Sequence, residues 1–151
     1  GKICLSGPIW LHRLCTLQAD GGRIIIGSNT SIGPFTIIGS IAAVTIGNNC
    51  MIAECVSIRD HDHAYGNSSV PMRVQGWVTR PVNIGNNVWL GNKVTIMKGC
   101  TIGDDVIIGA NSVVTHDIPS NSIAFGCPAR VVRKLYPAMV SEKIENKLTV
   151  L

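Results

Sequence analysis

An all-β fold, a parallel β-helix, is what this sequence predicts, and three observations predict it. The first is a period. Ile84, Leu90, Ile96, Ile102, Ile108 and Val114 stand six apart, and Gly follows at positions 85, 91, 103 and 109. The second is that six is even. It scatters side chains around an α-helix, but along a strand it returns them to one face. The third is composition. Hydrophobic residues make up 46% and aromatics only 5%, so the core must be built from aliphatic layers. At 151 residues the chain is read as one domain, 1–151.

Taken in order, residues 1–23 lack clear phase and are expected to form an irregular first coil. The period begins at Ile26, Ile32 and Ile38, each followed by Gly. Two extra residues intrude, and it resumes at Ile46, Ile52 and Ile58. Units such as "IGNNVW", "IGDDVI" and "IGANSV" place Gly and Asn where corners need turn conformations. Three units make one triangular turn, and stacked turns give three parallel sheets with strands about 4.8 Å apart. Each coil buries its face only against its neighbours, so the ends need caps. The segment from Pro137 onward is expected to supply a short C-terminal helix over about 137–150. Between Ile58 and Val82 the phase breaks, which predicts a loop of about 59–81 projecting sideways from the coils. Loops of that length inside compact domains are often functional.

Charge and cysteines narrow the function. Lys+Arg number 13 and Asp+Glu 9, a net +4 with no basic stripe, which fits a local anionic ligand better than nucleic acid. The cysteines at 4, 15, 50, 55, 100 and 127 form no CxxC pair. They read as reduced core thiols of a cytoplasmic protein rather than a disulfide frame or zinc site. No apolar run approaches the length of a membrane span, and no signal peptide is visible.

The loop opens on Asp60-His61-Asp62-His63. An imidazole takes up and releases protons near neutral pH, and a neighbouring acceptor fixes its tautomer. Three readings stand: a solvated polar loop, a metal site of two His and two Asp, and a general base. The third gains from placement, because the HxH segment leaves a rigid scaffold just as the loop begins.

The "[LIV]-G-x-x-[small]-x" units resemble those of the hexapeptide-repeat acyltransferases over roughly residues 24–135. That resemblance implies a left-handed β-helix and a homotrimer. "RPVNIGNNVWLG", residues 80–91, is similar to the segment that follows the catalytic His in galactoside, maltose and surface-polysaccharide O-acetyltransferases. It implies His61 as the base, with His63 second. Asp60 and Asp62, beside the histidines, are expected to bind substrate, and the resemblance implies that Trp89 lines the donor or acceptor cleft. Trp89 reads equally as a subunit contact. "IGANSVVTHDIPSNSIAFGCPARVVRKL", residues 108–135, resembles the family's C-terminal signature. It implies acetyl-CoA as co-substrate, held by Asn92, Gly109, Ala110, Thr115, His116, Arg130 and Arg133, and no metal. His116 departs from the family's usual Lys. Gly33 stands where galactoside enzymes carry an acceptor-holding Asn, so a galactoside acceptor is not implied.

Small residues at 109 and 110 would let an extended pantetheine lie along the backbone. Arg130, Arg133 and Lys134 suit a phosphate. The expected reaction is acetyl transfer to a sugar hydroxyl, of a surface polysaccharide or its precursor. The alternatives are a streptogramin-type drug acetyltransferase, a γ-type carbonic anhydrase, which needs three zinc-binding His, and a structural solenoid.

Overall fold

The computed structural model describes residues 1–136. The expected helix over 137–150 lies outside the described residues. The chain winds into a three-sided prism of about six turns. One face stacks Lys2–Leu5, Arg23–Ile26, Ala43–Ile46, Val82–Ile84 and Thr101–Ile102 in parallel. The second stacks Ile9–Leu11, Thr30–Ile32, Met51–Ile52, Trp89–Leu90, Val106–Ile108 and Ser122–Gly126. Antiparallel Ala129–Lys134 closes that sheet's far edge. The third stacks Thr16–Ala19, Ile37–Ser40, Ser57–Arg59, Thr95–Ile96 and Val113–Val114.

The periodic aliphatic column fills the prism. Ile84, Leu90, Ile96, Ile102, Ile108 and Val114 are each 0–3% exposed and belong to one continuous core. Ile84 stacks on Ile102 and Ile96 on Val114, eighteen positions on, so each aliphatic side chain packs on its own repeat in the next coil. Burying one such side chain is worth about 1.5–3 kcal/mol.

The corners divide the labour expected of Gly and Asn. The left-handed backbone position is held by the fourth residue of a unit, as at Asn29, Asn49, Asn87, Asp105, Asn111 and Asn121. At most of the second-place glycines, crowding is the requirement instead. A Cβ on Gly47 would stand 2.5 Å from the Gly85 carbonyl oxygen of the next coil.

Residues 1–23 are more regular than expected. Their three strands pair residue for residue with the second coil, at an offset of twenty-one positions. The three additional residues per turn hide the period without breaking the ladder. The loop is also structured. His61–His63 pairs antiparallel with Trp77–Thr79, and a short 3-10 turn spans Met72–Val74. The loop therefore leaves the prism as a two-stranded arm.

Candidate active site

The corner between the third and first faces carries the arm, and Asp60 is its root. Asp60 is fully buried. Its Oδ1 accepts from the Ile41 backbone N–H at 2.9 Å and lies 2.9 Å from His61 Nδ1. Its Oδ2 accepts from the Ala42 N–H and the Ser40 hydroxyl, both at 2.8 Å. Ile41 and Ala42 sit at the corner where two extra residues interrupted the period. The insertion turns two backbone donors toward the next coil, where Asp60 arrives. Burial pushes the Asp60 pKa up, but these hydrogen bonds outweigh it and hold the carboxyl below its usual value.

An ionised Asp60 can only accept, so His61 Nδ1 carries the proton and Nε2 presents a lone pair. The imidazole is 10% exposed and meets Trp77 edge-on, ring centroids 5.0 Å apart at 88°. It borders a cavity of about 200 Å³ with Gln18, Asp20, Gly39, Ser40, Ile41, Arg59 and Trp77. Asp60, expected to bind substrate, is fully buried, with its carboxylate held between the Ile41–Ala42 corner and His61.

His63 borders a neighbouring cavity of about 250 Å³ together with Arg59, His61, Asp62 and Trp77. It stacks on Trp77 with centroids 3.9 Å apart at 32°, while Asp62 forms an ion pair with Lys98 of the next coil. The polar side chains of the DHDH run therefore divide: Asp60 faces a backbone corner, Asp62 a lysine, and His61 and His63 both pack on Trp77. They do not converge as a ligand set would, and among the described residues no three His, Cys, Asp or Glu side chains are gathered around one point. Burial raises the pKa of the Cys50 and Cys100 thiols, which keeps them protonated packing groups.

The other expected residues fall into two further groups. Trp89, Asn92, Gly109 and Ala110 line an apolar groove of about 400 Å³ with Ala53, Gly91, Ile107 and Ile108, along the second face and its corner with the third. Thr115 and His116 are hydrogen-bonded to each other at 2.8 Å. His116 and Arg130 border a third cavity, of about 290 Å³, with Asp117, Ile118, Ala129 and Val131. Arg130 sits opposite Phe125 in the terminal ribbon and Arg133 opposite Ile123. Within one chain the His61 cavity and the Trp89 groove share no residue and lie at different corners. Gly33 is stacked too closely for a side chain: a Cβ there would stand 2.5 Å from the Ala53 carbonyl carbon. Ser40, Arg59 and Trp77 were not anticipated. The two-residue break in period was the available signal for Ser40, whereas Trp77 reaches His61 only through the arm's pairing.

Residues 81–116 match the family described as bacterial transferase hexapeptide (six repeats). A putative lipopolysaccharide biosynthesis O-acetyl transferase of Escherichia coli is 39% identical over 126 residues, 78% of this chain and 64% of that protein. The galactoside O-acetyltransferase of the same species is 41% identical over 116 residues, 76% of this chain and 56% of that protein. The solved structure of galactoside acetyltransferase in complex with coenzyme A superposes with a TM-score of 0.72 at 34% identity. It covers 89% of this chain and 66% of that one. Superposition preserves hand, so the coils wind in the same sense in both. The chain thus spans 64% and 56% of the length of these two curated relatives.

Proposed function

This chain belongs to the bacterial hexapeptide-repeat transferases, and from that premise we propose that it carries the catalytic core of an acetyl-CoA-dependent O-acetyltransferase. The acceptor is a sugar hydroxyl of a surface polysaccharide or its precursor. The observation that carries this reading is the Asp60–His61 pair opening on a cavity. A lipopolysaccharide O-acetyl transferase and a galactoside O-acetyltransferase among the relatives support the acceptor class.

The chemistry follows from the tautomer. His61 Nε2 takes the proton of the acceptor hydroxyl as its oxygen attacks the thioester carbonyl. The new C–O bond forms, the C–S bond breaks, and the imidazolium returns its proton to the departing thiolate. Asp60 stabilises the transient imidazolium without leaving its corner. The Trp89 groove has the shape and apolar lining for the pantetheine arm, and Arg130 beside His116 offers donors for a phosphate.

A groove and a base at different corners of one prism require a second copy to bring them together. We therefore place the complete site between subunits of a homotrimer. Free acetyl-CoA as donor puts the reaction in the cytoplasm. The test is thiol release from acetyl-CoA across a panel of sugars, amino acids and antibiotics, with sedimentation to measure the assembly. Release with saccharides alone, from a trimer, is expected. Release only with an antibiotic, or full activity from a monomer, overturns the reading.

A further inference from the structure

The second-place glycines of the repeat units fall into two kinds. Gly47 and Gly85 are forced: a Cβ on either would meet an atom of the next coil at 2.5 Å. Gly39 is not forced. A Cβ there would stand 3.5 Å from His61 Cε1, 3.6 Å from Arg59 Nη1 and 3.8 Å from Arg59 Cγ, all ordinary separations from side chains. Its backbone is not in the left-handed region either. Neither packing nor conformation excludes alanine from position 39. Gly39 nevertheless forms the floor of the His61 cavity, at the point where His61 and Arg59 converge.

Arg59 borders the same cavity. It is exposed, and among the described residues its guanidinium makes neither an ion pair nor a hydrogen bond, so its donors are open to a ligand. Its strand neighbour in the preceding coil is Gly39, so no side chain there covers it. A guanidinium has only donors to offer, so it suits an oxygen-bearing ligand. Asp20, held by Gln18 Nε2 at 2.5 Å, borders the same cavity as a hydroxyl acceptor.

We infer that Arg59 and Gly39 determine acceptor specificity. Arg59 donates to a second oxygen of the acceptor, adjacent to the hydroxyl that His61 deprotonates, and Gly39 keeps the floor clear for that pair. The acceptor class is a saccharide with two neighbouring oxygens, either a vicinal diol or a hydroxyl beside a carboxylate. This rests on the acetyl-transfer reading and adds the residues that choose among acceptors.

The test uses the full chain, acetyl-CoA, the methyl glycosides of glucose, galactose and mannose, their monodeoxy derivatives and the matching methyl uronides. Arg59→Gln is expected to raise the acceptor KM by about tenfold or more while the acetyl-CoA KM stays within about twofold. Gly39→Ala should raise the acceptor KM with an unchanged melting temperature, which separates it from a folding defect. A penalty for one monodeoxy sugar that vanishes in Arg59→Gln assigns the diol. A preference for the uronide that vanishes in Arg59→Gln assigns the carboxylate. An acceptor KM and discrimination unchanged by Arg59→Gln, or a shift in acetyl-CoA KM instead, overturns the inference. Should the wild type release no thiol with any sugar, the acetyl-transfer reading fails. The inference is then judged by saturation-transfer NMR of the same sugars. A sugar signal present in the wild type and abolished by Arg59→Gln upholds it. A signal that persists in Arg59→Gln, or that the wild type never shows, overturns it.

Discussion

Asp60 Oδ1 lies 2.9 Å from His61 Nδ1, and the carboxylate on the far side of that hydrogen bond is wholly buried. Of two adjacent residues, one is thus a buried carboxylate and the other an imidazole whose edge reaches a cavity. The coil before them supplies the backbone donors that keep the acid ionised.

His61→Ala should lower kcat by at least about 10²-fold with the melting temperature preserved. His63→Ala removes a ring that stacks on Trp77 and lacks the Asp60 contact of His61, and it should cost far less. Steady-state thiol release on both variants decides the assignment, and the opposite order would transfer the role of base to His63.

Asp60→Asn keeps the shape of the side chain but exchanges an acceptor for a donor at one position. His61 is then driven toward the wrong tautomer, and kcat should fall about 10²–10⁴-fold with little change in either KM. A variant with wild-type kcat would leave Asp60 a purely structural part.

The same residue makes a pH signature. Its folded pKa is held below the unfolded value. Its contribution to stability is therefore complete above an unfolded pKa of about 3.9 and is lost as pH falls through the folded value. Urea midpoints measured between neutral pH and about pH 3 should drop more steeply for the wild type than for Asp60→Asn. Parallel curves would refute the linkage.

The unforced and forced glycines predict opposite stabilities. Gly47→Ala should cost about 2 kcal/mol or more, because its Cβ would overlap the Gly85 carbonyl. Gly39→Ala should stay within about 0.5 kcal/mol of wild type. Denaturant unfolding of the two variants side by side measures the contrast.

Arg130→Ala should raise the KM for acetyl-CoA and leave the acceptor KM unchanged, since it borders the His116 cavity and not that of His61. An effect on the acceptor alone would remove Arg130 from the donor site.

The scaffold was legible because its cause is local and repeated. An aliphatic residue every sixth position and an Asn at many of the corners state the same packing problem many times over, and Ile84 on Ile102 is one of its solutions. The site was only half legible. His61 announced itself by residue type and by its place at the end of a coil. Arg59 and Gly39 look like any other strand residues, and Trp77 lies sixteen positions away in a stretch without period.

By itself the sequence determined the architecture, because a period of six leaves a chain few ways to bury its aliphatic column. Only the tertiary structure decided which polar groups share a corner. Residues from separate coils meet there through stacking, and the two-residue insertion at Ile41 and Ala42 acquires its meaning only when the next coil sets Asp60 against it.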